Sequence, residues 1–218
     1  PSTLLYVLNT EPHVDIVTYL DADLMFFSSI EPIFEEAKDA SILLTEHRYI
    51  NGFDISKNTG IYNVQFMMFR RDDPGLAALS WWRDRCIEWC LARVEDNKFG
   101  DQKYLDDWKE KYQGVHILQH LGGGLAPWNA AQYKLQKQEN SIYVEEYPLI
   151  FYHFHGLNIH PFNIFYLSPK YPLNINIREL IYYPYLQEIT LTYSLVRETE
   201  PKFNSGIVWF KIPRLSQN

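Results

Sequence analysis

Residues 16–27 read IVTYLDADLMFF, and this stretch decides the fold. Its first five residues, Ile16–Leu20, are β-branched, aromatic or aliphatic, a short apolar run that predicts a buried strand. The run stops at Asp21-Ala22-Asp23, and apolar residues resume at once over 24–27. Two carboxylates one residue apart, where a strand runs out, can both reach one hard cation, and Mg²⁺ or Mn²⁺ takes oxygen ligands. Apolar neighbours on both sides keep the pair off a freely solvated face, and burying unpaired carboxylates without a cation is costly. A turn or capping role is the other reading of this Asp-x-Asp.

The pattern repeats outward. Residues 2–10 predict a short apolar helix ending before Pro12, and the sequence SSIEP (28–32) a helix to about Lys38 with a serine cap and a first-turn proline. SILLT (41–45) reads as a buried strand, 50–60 as loop, and Tyr62–Arg70 (YNVQFMMFR) as a strand buried on both faces. Asp72-Asp73-Pro74 opens the longest predicted helix, to about Glu95, with Leu76, Leu79, Trp82, Cys86, Ile87, Cys90 and Val94 at apolar positions. A second helix is predicted over 101–112, strands over 115–119 and 149–155, a charged polar segment over 134–147, and a Tyr-rich helical stretch over 178–197 that Pro184 must start or kink. Strands alternating with helices predict an α/β domain with a mixed sheet.

Composition narrows the function. The chain has 218 residues, 46% of them hydrophobic, enough for one substantial core. Its 16 Tyr, 13 Phe and 6 Trp suit a cleft that stacks rings on sugars or bases, although rings also pack cores. A net charge of −7 argues against a nucleic-acid surface, so no nucleic-acid partner is expected. An acidic protein still takes a nucleoside diphosphate when a divalent cation neutralises the phosphates. No apolar run approaches the ~18 residues of a membrane span, and no signal-peptide pattern opens the sequence. Cys86 and Cys90, four apart in a helical pattern beside Leu79, Ile87 and Val94, read as reduced core thiols of a cytoplasmic protein.

Other clusters could carry chemistry. In FYHFHG (151–156), His153 and His155 share a strand face and could meet one ligand, with hydrogen-bonded core histidines as the alternative. In GDQK (100–103), Asp101 caps a helix or, with Gln102, holds sugar hydroxyls. Gly122-Gly123-Gly124 lacks the ending of a phosphate-binding loop and reads as a mobile loop. His47, Arg48, Arg70 and Arg71 are the basic candidates near strand ends, with surface salt bridges as the default.

Taken together these motifs resemble the GT-A glycosyltransferases, and within them the family of glycogenin and the bacterial lipopolysaccharide galactosyltransferases. TYLDADL (18–24) is similar to that family's Tyr-Leu-Asp-x-Asp signature, YNVQF (62–66) to its Asn-Ala-Gly strand, Asp101-Gln102 to its Asp-Gln-Asp motif, and His153 with Gly156 to its His-x-x-Gly segment. The stretches FGDQKYLDDW (99–108) and LGGGLAPWN (121–129) are similar to a bacterial subgroup of nucleotide-diphospho-sugar transferases. The resemblance implies a GT-A-like mixed sheet flanked by helices. It also implies a single, partial catalytic domain over 1–218 with a C-terminal helical extension over 163–218. The family's first βαβ unit would lie before Asp21 and is not among these residues.

For the site, the resemblance implies Asp21, Asp23 and His153 as ligands of Mn²⁺ or Mg²⁺, Asp101 and Gln102 as catalytic, and Asn63, Gln65, His47, Trp128, His155 and Gly156 as substrate-binding. The implied partners are a nucleotide-diphosphate-sugar donor and a saccharide or lipid-linked saccharide acceptor, with retention of configuration. The sequence departs from the family at Gln65, where the strand has glycine, and at Lys103, the third position of Asp-Gln-Asp. Those departures favour a second reading, a non-catalytic carbohydrate- or nucleotide-binding module. A metal-dependent hydrolase using the same three ligands is a third. The tyrosines of the last helix (Tyr182, Tyr183, Tyr185, Tyr193) could dock on the sheet, on a partner or peripherally on a membrane.

Overall fold

A computed structural model describes residues 1–168 and 170–209. The expected elements follow from the residues that predict them. Helix α1 (Ser2–Thr10) buries Leu5 and Leu8 and ends before Pro12. Strand β1 (Ile16–Leu20) leads through the acidic pair into β2 (Leu24–Phe26), and α2 (Glu31–Glu36) carries Pro32 in its first turn. No side chain caps α2: the Ser28 hydroxyl donates instead to the Leu149 carbonyl at 2.8 Å. Strand β3 (Ile42–Glu46), one turn of helix α3 (Ser56–Thr59) and β4 (Tyr62–Arg70) follow. Helix α4 (Asp73–Glu88) is capped by Asp72, whose carboxylate accepts from the Gly75 N–H at 2.9 Å.

The chain continues through α5 (Trp108–Lys111) and β5 (Val115–Ile117) to β6 (Leu135–Gln138), β7 (Ser141–Val144) and β8 (Tyr147–Pro148). Then come β9 (Phe151–His153), β10 (Asn158–His160), β11 (Ile164–Tyr166), α6 (Ile175–Ile177) and α7 (Tyr183–Thr199). A π-type segment, Arg178–Tyr182, joins α6 to α7 just before Pro184, whose missing N–H cannot continue the helical ladder. The C-terminal stretch 163–218 thus contains β11, α6 and α7, with residues 169 and 210–218 outside the described residues.

The protein is α/β with a mixed central sheet of order β1-β4-β3-β5, in which β3 and β5 run parallel and the other pairs antiparallel. Strand β4 lies between β1 and β3 and is buried on both faces, as its sequence predicts. Strand β1 is an edge strand, so the expectation of a buried one needs correcting: Val17 is covered, while Leu20 is 41% exposed. One core, with Leu8, Val17, Met67, Phe69, Trp82 and Trp108, fills the side under α1, α4 and α5. Another, with Ile33, Leu43, Phe66, Met68 and Phe151, fills the opposite side. A third packs the Tyr-rich stretch against β9, through Tyr152, Phe154, Ile181 and Tyr182.

Several expectations are corrected. Helix α4 stops at Glu88, where Trp89 turns extended (φ −161°, ψ 127°), and the chain then turns back at Asp96 and Asn97, both at positive φ, between the paired Glu95 and Lys98. Cys86 and Cys90 are free thiols as expected, but Cys90 lies beyond the helix and is exposed, as are Ile87 and Val94. The helix predicted over 101–112 is broken into a 3₁₀ turn, Lys103–Leu105, and α5. The polar segment 134–147 instead contributes to the three-stranded sheet β6-β7-β8. Gly122, Gly123 and Gly124 are buried, and a Cβ on Gly122 would meet the Pro148 carbonyl oxygen at 1.9 Å. Among the described residues, Arg48, Arg70 and Arg71 make no surface salt bridges; they donate to backbone carbonyls of Gly123, of Ala40 and Lys38, and of Val14, Leu8 and Glu11. Among the same residues, no helix is long and apolar enough to cross a membrane.

Candidate metal centre

Strand β1 ends at Leu20, so Asp21 and Asp23 leave the sheet edge together on the turn into β2. Strand β2 pairs antiparallel with β9, placing Leu24 opposite His153. That pairing, between segments about 130 residues apart, brings the second histidine cluster to the acidic pair. His153 Nε2 lies 3.0 Å from Asp23 Oδ1 and 3.7 Å from Asp21 Oδ2. One ligand atom from each of the three residues falls within 4.8 Å of the others.

The donor set fits a hard divalent cation. Ligands at right angles on a cation with bonds of about 2.1 Å lie about 3 Å apart, the spacing of the His153–Asp23 pair. His153 is 6% exposed and Asp21 and Asp23 are 20% and 44% exposed in their side chains, so the imidazole is fixed from behind while the carboxylates face open space. The Tyr19 hydroxyl donates to Asp21 Oδ1 at 2.9 Å, and His153 Nδ1 meets Gln65 Oε1 at 2.8 Å. Burial pushes the Asp23 carboxyl up, but the hydrogen bond and charge of His153 outweigh it and hold the group below the usual carboxylate range.

These ligands open on a cleft of about 430 Å³ whose lining includes His47, Asn63, Gln102, Trp128 and His155. Burial pushes His47 down to about 4, so it is neutral, with Nδ1 against the Ile61 carbonyl at 3.0 Å and its ring stacked on Tyr49. Asn63 accepts the Gln65 N–H through Oδ1 at 3.1 Å, while its buried Nδ2 has no partner among the described residues, a donor available to a ligand oxygen. The Gln102 side-chain amide donates to the Thr59 carbonyl at 2.7 Å, and its side-chain carbonyl has no hydrogen bond among the described residues. The Trp128 ring stands edge-on between His47 and His153, 5.3 Å from each.

Three expected site residues lie elsewhere. Gln65 is fully buried behind His153, not in the cleft lining. Asp101 does not line the cleft either; burial, with the Asp21 charge adding to it, raises its carboxyl above the ordinary value. Gly156 makes a positive-φ turn just beyond His155. Lys103, which departs from the family motif, is a clamp: its ammonium bonds Asp106 at 2.7 Å and the Ser56 and Lys57 carbonyls.

Among the cleft-lining residues that sequence reasoning missed are Tyr49, Phe99, Lys170 and Tyr171. They sit in irregular segments, and for the first two the nearest signals were the flanking His47 and Asp101 motifs.

No protein-family model matches the sequence. Two proteins of Bacillus subtilis (strain 168) do. The "uncharacterized protein YfnD" is 30% identical over 215 residues, which is 95% of this chain and 68% of YfnD. The "uncharacterized protein YfnF" is 38% identical over 167 residues, 73% of this chain and 55% of YfnF. The match therefore spans about two thirds of one relative and little more than half of the other. With identity at that level along nearly its whole length, the chain belongs to the family of YfnD.

Proposed function

We propose that the chain is the catalytic part of a metal-dependent glycosyltransferase of the GT-A type, transferring a sugar from a nucleotide-diphosphate donor to an acceptor hydroxyl. The observation that carries this reading is the convergence of Asp21, Asp23 and His153 at the floor of a cleft that also presents Asn63 and Gln102. The mixed sheet, with the acidic pair just past the end of β1, suits it as well. In this reading the three ligands hold Mn²⁺ or Mg²⁺, which supplies Lewis-acid stabilisation of the charge on the departing diphosphate. The Asn63 Nδ2 and the free Gln102 carbonyl orient the sugar. The acceptor oxygen forms a bond to the anomeric carbon as the bond to the phosphate oxygen breaks. The bonding pair stays with the nucleoside diphosphate, and the acceptor proton passes to the departing oxygen. Attack from the same face accounts for the implied retention. The acceptor is a saccharide or lipid-linked saccharide, and the location is cytoplasmic.

One observation favours the second reading, a binding module without turnover: Asp101, the carboxylate expected at the sugar, is not in the cleft lining. The test is release of nucleoside diphosphate from a panel of nucleotide sugars by the chain with Mn²⁺, with EDTA, and in Asp23→Asn. Release that needs both the metal and Asp23 supports the transferase. Mn²⁺ and donor binding without release leaves the binding module, and release indifferent to EDTA and to Asp23 overturns the metal-centred mechanism.

A further inference from the structure

Gln65 has no solvent exposure, yet it touches both halves of the candidate metal centre. Its backbone carbonyl accepts the Asp21 N–H at 3.1 Å, and its side-chain Oε1 lies 2.8 Å from His153 Nδ1. We propose that Gln65 is the positioning residue of this centre: its side-chain carbonyl accepts from His153 Nδ1 and so aims Nε2 at Asp21 and Asp23. The inference rests on the metal-dependent reading above and extends it to a residue that does not itself face the cation.

The argument begins in the strand. The pairing of β3 with β4 shifts register, from Leu43 opposite Met68 to Thr45 opposite Asn63. Tyr62, Val64, Met67 and Phe69 all face one core, while Phe66 and Met68 face the other. Gln65 and Phe66, consecutive in sequence, therefore point to the same side, which is what a β-bulge does to re-aim a side chain. Without it Gln65 would face the α4 side and His153 would lose its partner.

The chemistry follows from the atoms. A neutral imidazole has one N–H, and a carbonyl oxygen can only accept. With Oε1 toward Nδ1, that nitrogen carries the proton it donates, and Nε2 is the nitrogen turned to the carboxylates and to a cation that would displace any proton there, the arrangement by which an outer partner orients a metal-ligating histidine. Were the amide turned over, its NH₂ would face Nδ1, which would then have to be unprotonated to accept from it. The two orientations are exclusive. On its far side Gln65 Nε2 has no partner among the described residues, and it lies 3.2 Å from where a Cβ on Gly124 would stand.

The experiment uses the whole chain. Mn²⁺ affinity is measured by titration with electron paramagnetic resonance detection in wild type, Gln65→Leu, Gln65→Glu and Asp23→Ala. The His153 tautomer is read in the metal-free wild type from long-range ¹H–¹⁵N correlations. The expected result is protonated Nδ1 in wild type and affinity weakened about 10- to 100-fold in Gln65→Leu, the range for losing such an outer partner. Gln65→Glu, which keeps the acceptor, restores binding, whereas a purely packing role would be worsened by a buried carboxylate.

An unprotonated Nδ1 in wild type, or Gln65→Leu binding Mn²⁺ as wild type does, overturns the inference even while Asp23→Ala abolishes binding. Binding that is absent in wild type, or unchanged in Asp23→Ala, overturns the metal-dependent reading and this inference together. Should Gln65→Leu not fold, the wild-type tautomer and the Gln65→Glu affinity still decide.

Discussion

The glycine run read from sequence as a mobile loop offers a test with an internal control. Gly124 has φ +81°, and a Cβ there would stand 2.6 Å from Thr45 Cγ2, 2.8 Å from Arg48 Nη2 and 3.2 Å from Gln65 Nε2. Gly52 has nearly the same backbone, φ +85°, and a Cβ there would meet nothing within 4 Å. Alanine at either site meets a left-handed backbone penalty of roughly 1–2 kcal/mol. Only Gly124→Ala adds overpacking, of about 1–3 kcal/mol. The difference between the two variants isolates the packing contribution, since backbone strain and unfolded-state entropy are common to both. For a chain of this size each kcal/mol moves the melting midpoint by ~2–4 °C, so Gly124→Ala should melt about 2–12 °C below Gly52→Ala. The assay is thermal and urea unfolding without metal, followed by Mn²⁺ titration, because the new methyl group also presses on Gln65. Equal losses in the two variants refute the reasoning and return the loop to the mobile reading of its sequence.

Three further outcomes are expected. Tyr19→Phe removes the hydroxyl that bonds Asp21 Oδ1 and should weaken Mn²⁺ about 10-fold in a calorimetric titration, with undiminished affinity counting against an outer role for Tyr19. Glu36 accepts from the Gln119 and His120 N–H groups at 2.6 and 2.9 Å and from His116 at 2.7 Å. Burial raises its carboxyl, but these bonds outweigh it and hold it below its ordinary value. That stability is present above the ordinary value and lost as pH falls through the folded one. The urea midpoint of wild type should therefore drop toward that of Glu36→Gln as pH falls below the ordinary carboxylate range, and parallel curves would contradict the assignment. His47, pushed down to about 4 chiefly by burial, should show its ring resonances shifting near that pH. Its unfolded form binds the proton first, so stability falls as pH drops from about 6.5 toward 4, and a ring midpoint at 6 or above would refute its burial as a neutral group.

Much of the fold was legible because it depends on neighbours in sequence. The apolar runs at Ile16–Leu20 and Tyr62–Arg70 are strands, Asp72 caps α4, and Pro184 marks the change into α7, since period, cap chemistry and a missing N–H act within a few residues. The acidic pair and His153 were likewise nameable from their residue types. Where α4 ends was not, because the apolar helical spacing continues through Cys90 and Val94 although the backbone turns extended at Trp89. Nor were β6 and β7, whose polar faces hide the alternation.

By itself the sequence named Asp21, Asp23 and His153 as candidate ligands and placed the strands at 16–20 and 62–70 and the start of α4. Only the tertiary structure decided that β2 pairs with β9, so that His153 meets Asp23, and that Lys103 clamps the 56–57 turn instead of facing the cleft. It also decided that a register shift beside β4 turns Gln65 toward His153. The reason is physical. Strand partners far apart in the chain are selected by the burial of whole faces, and a one-residue shift in register sends a side chain to the opposite face without changing any local pattern.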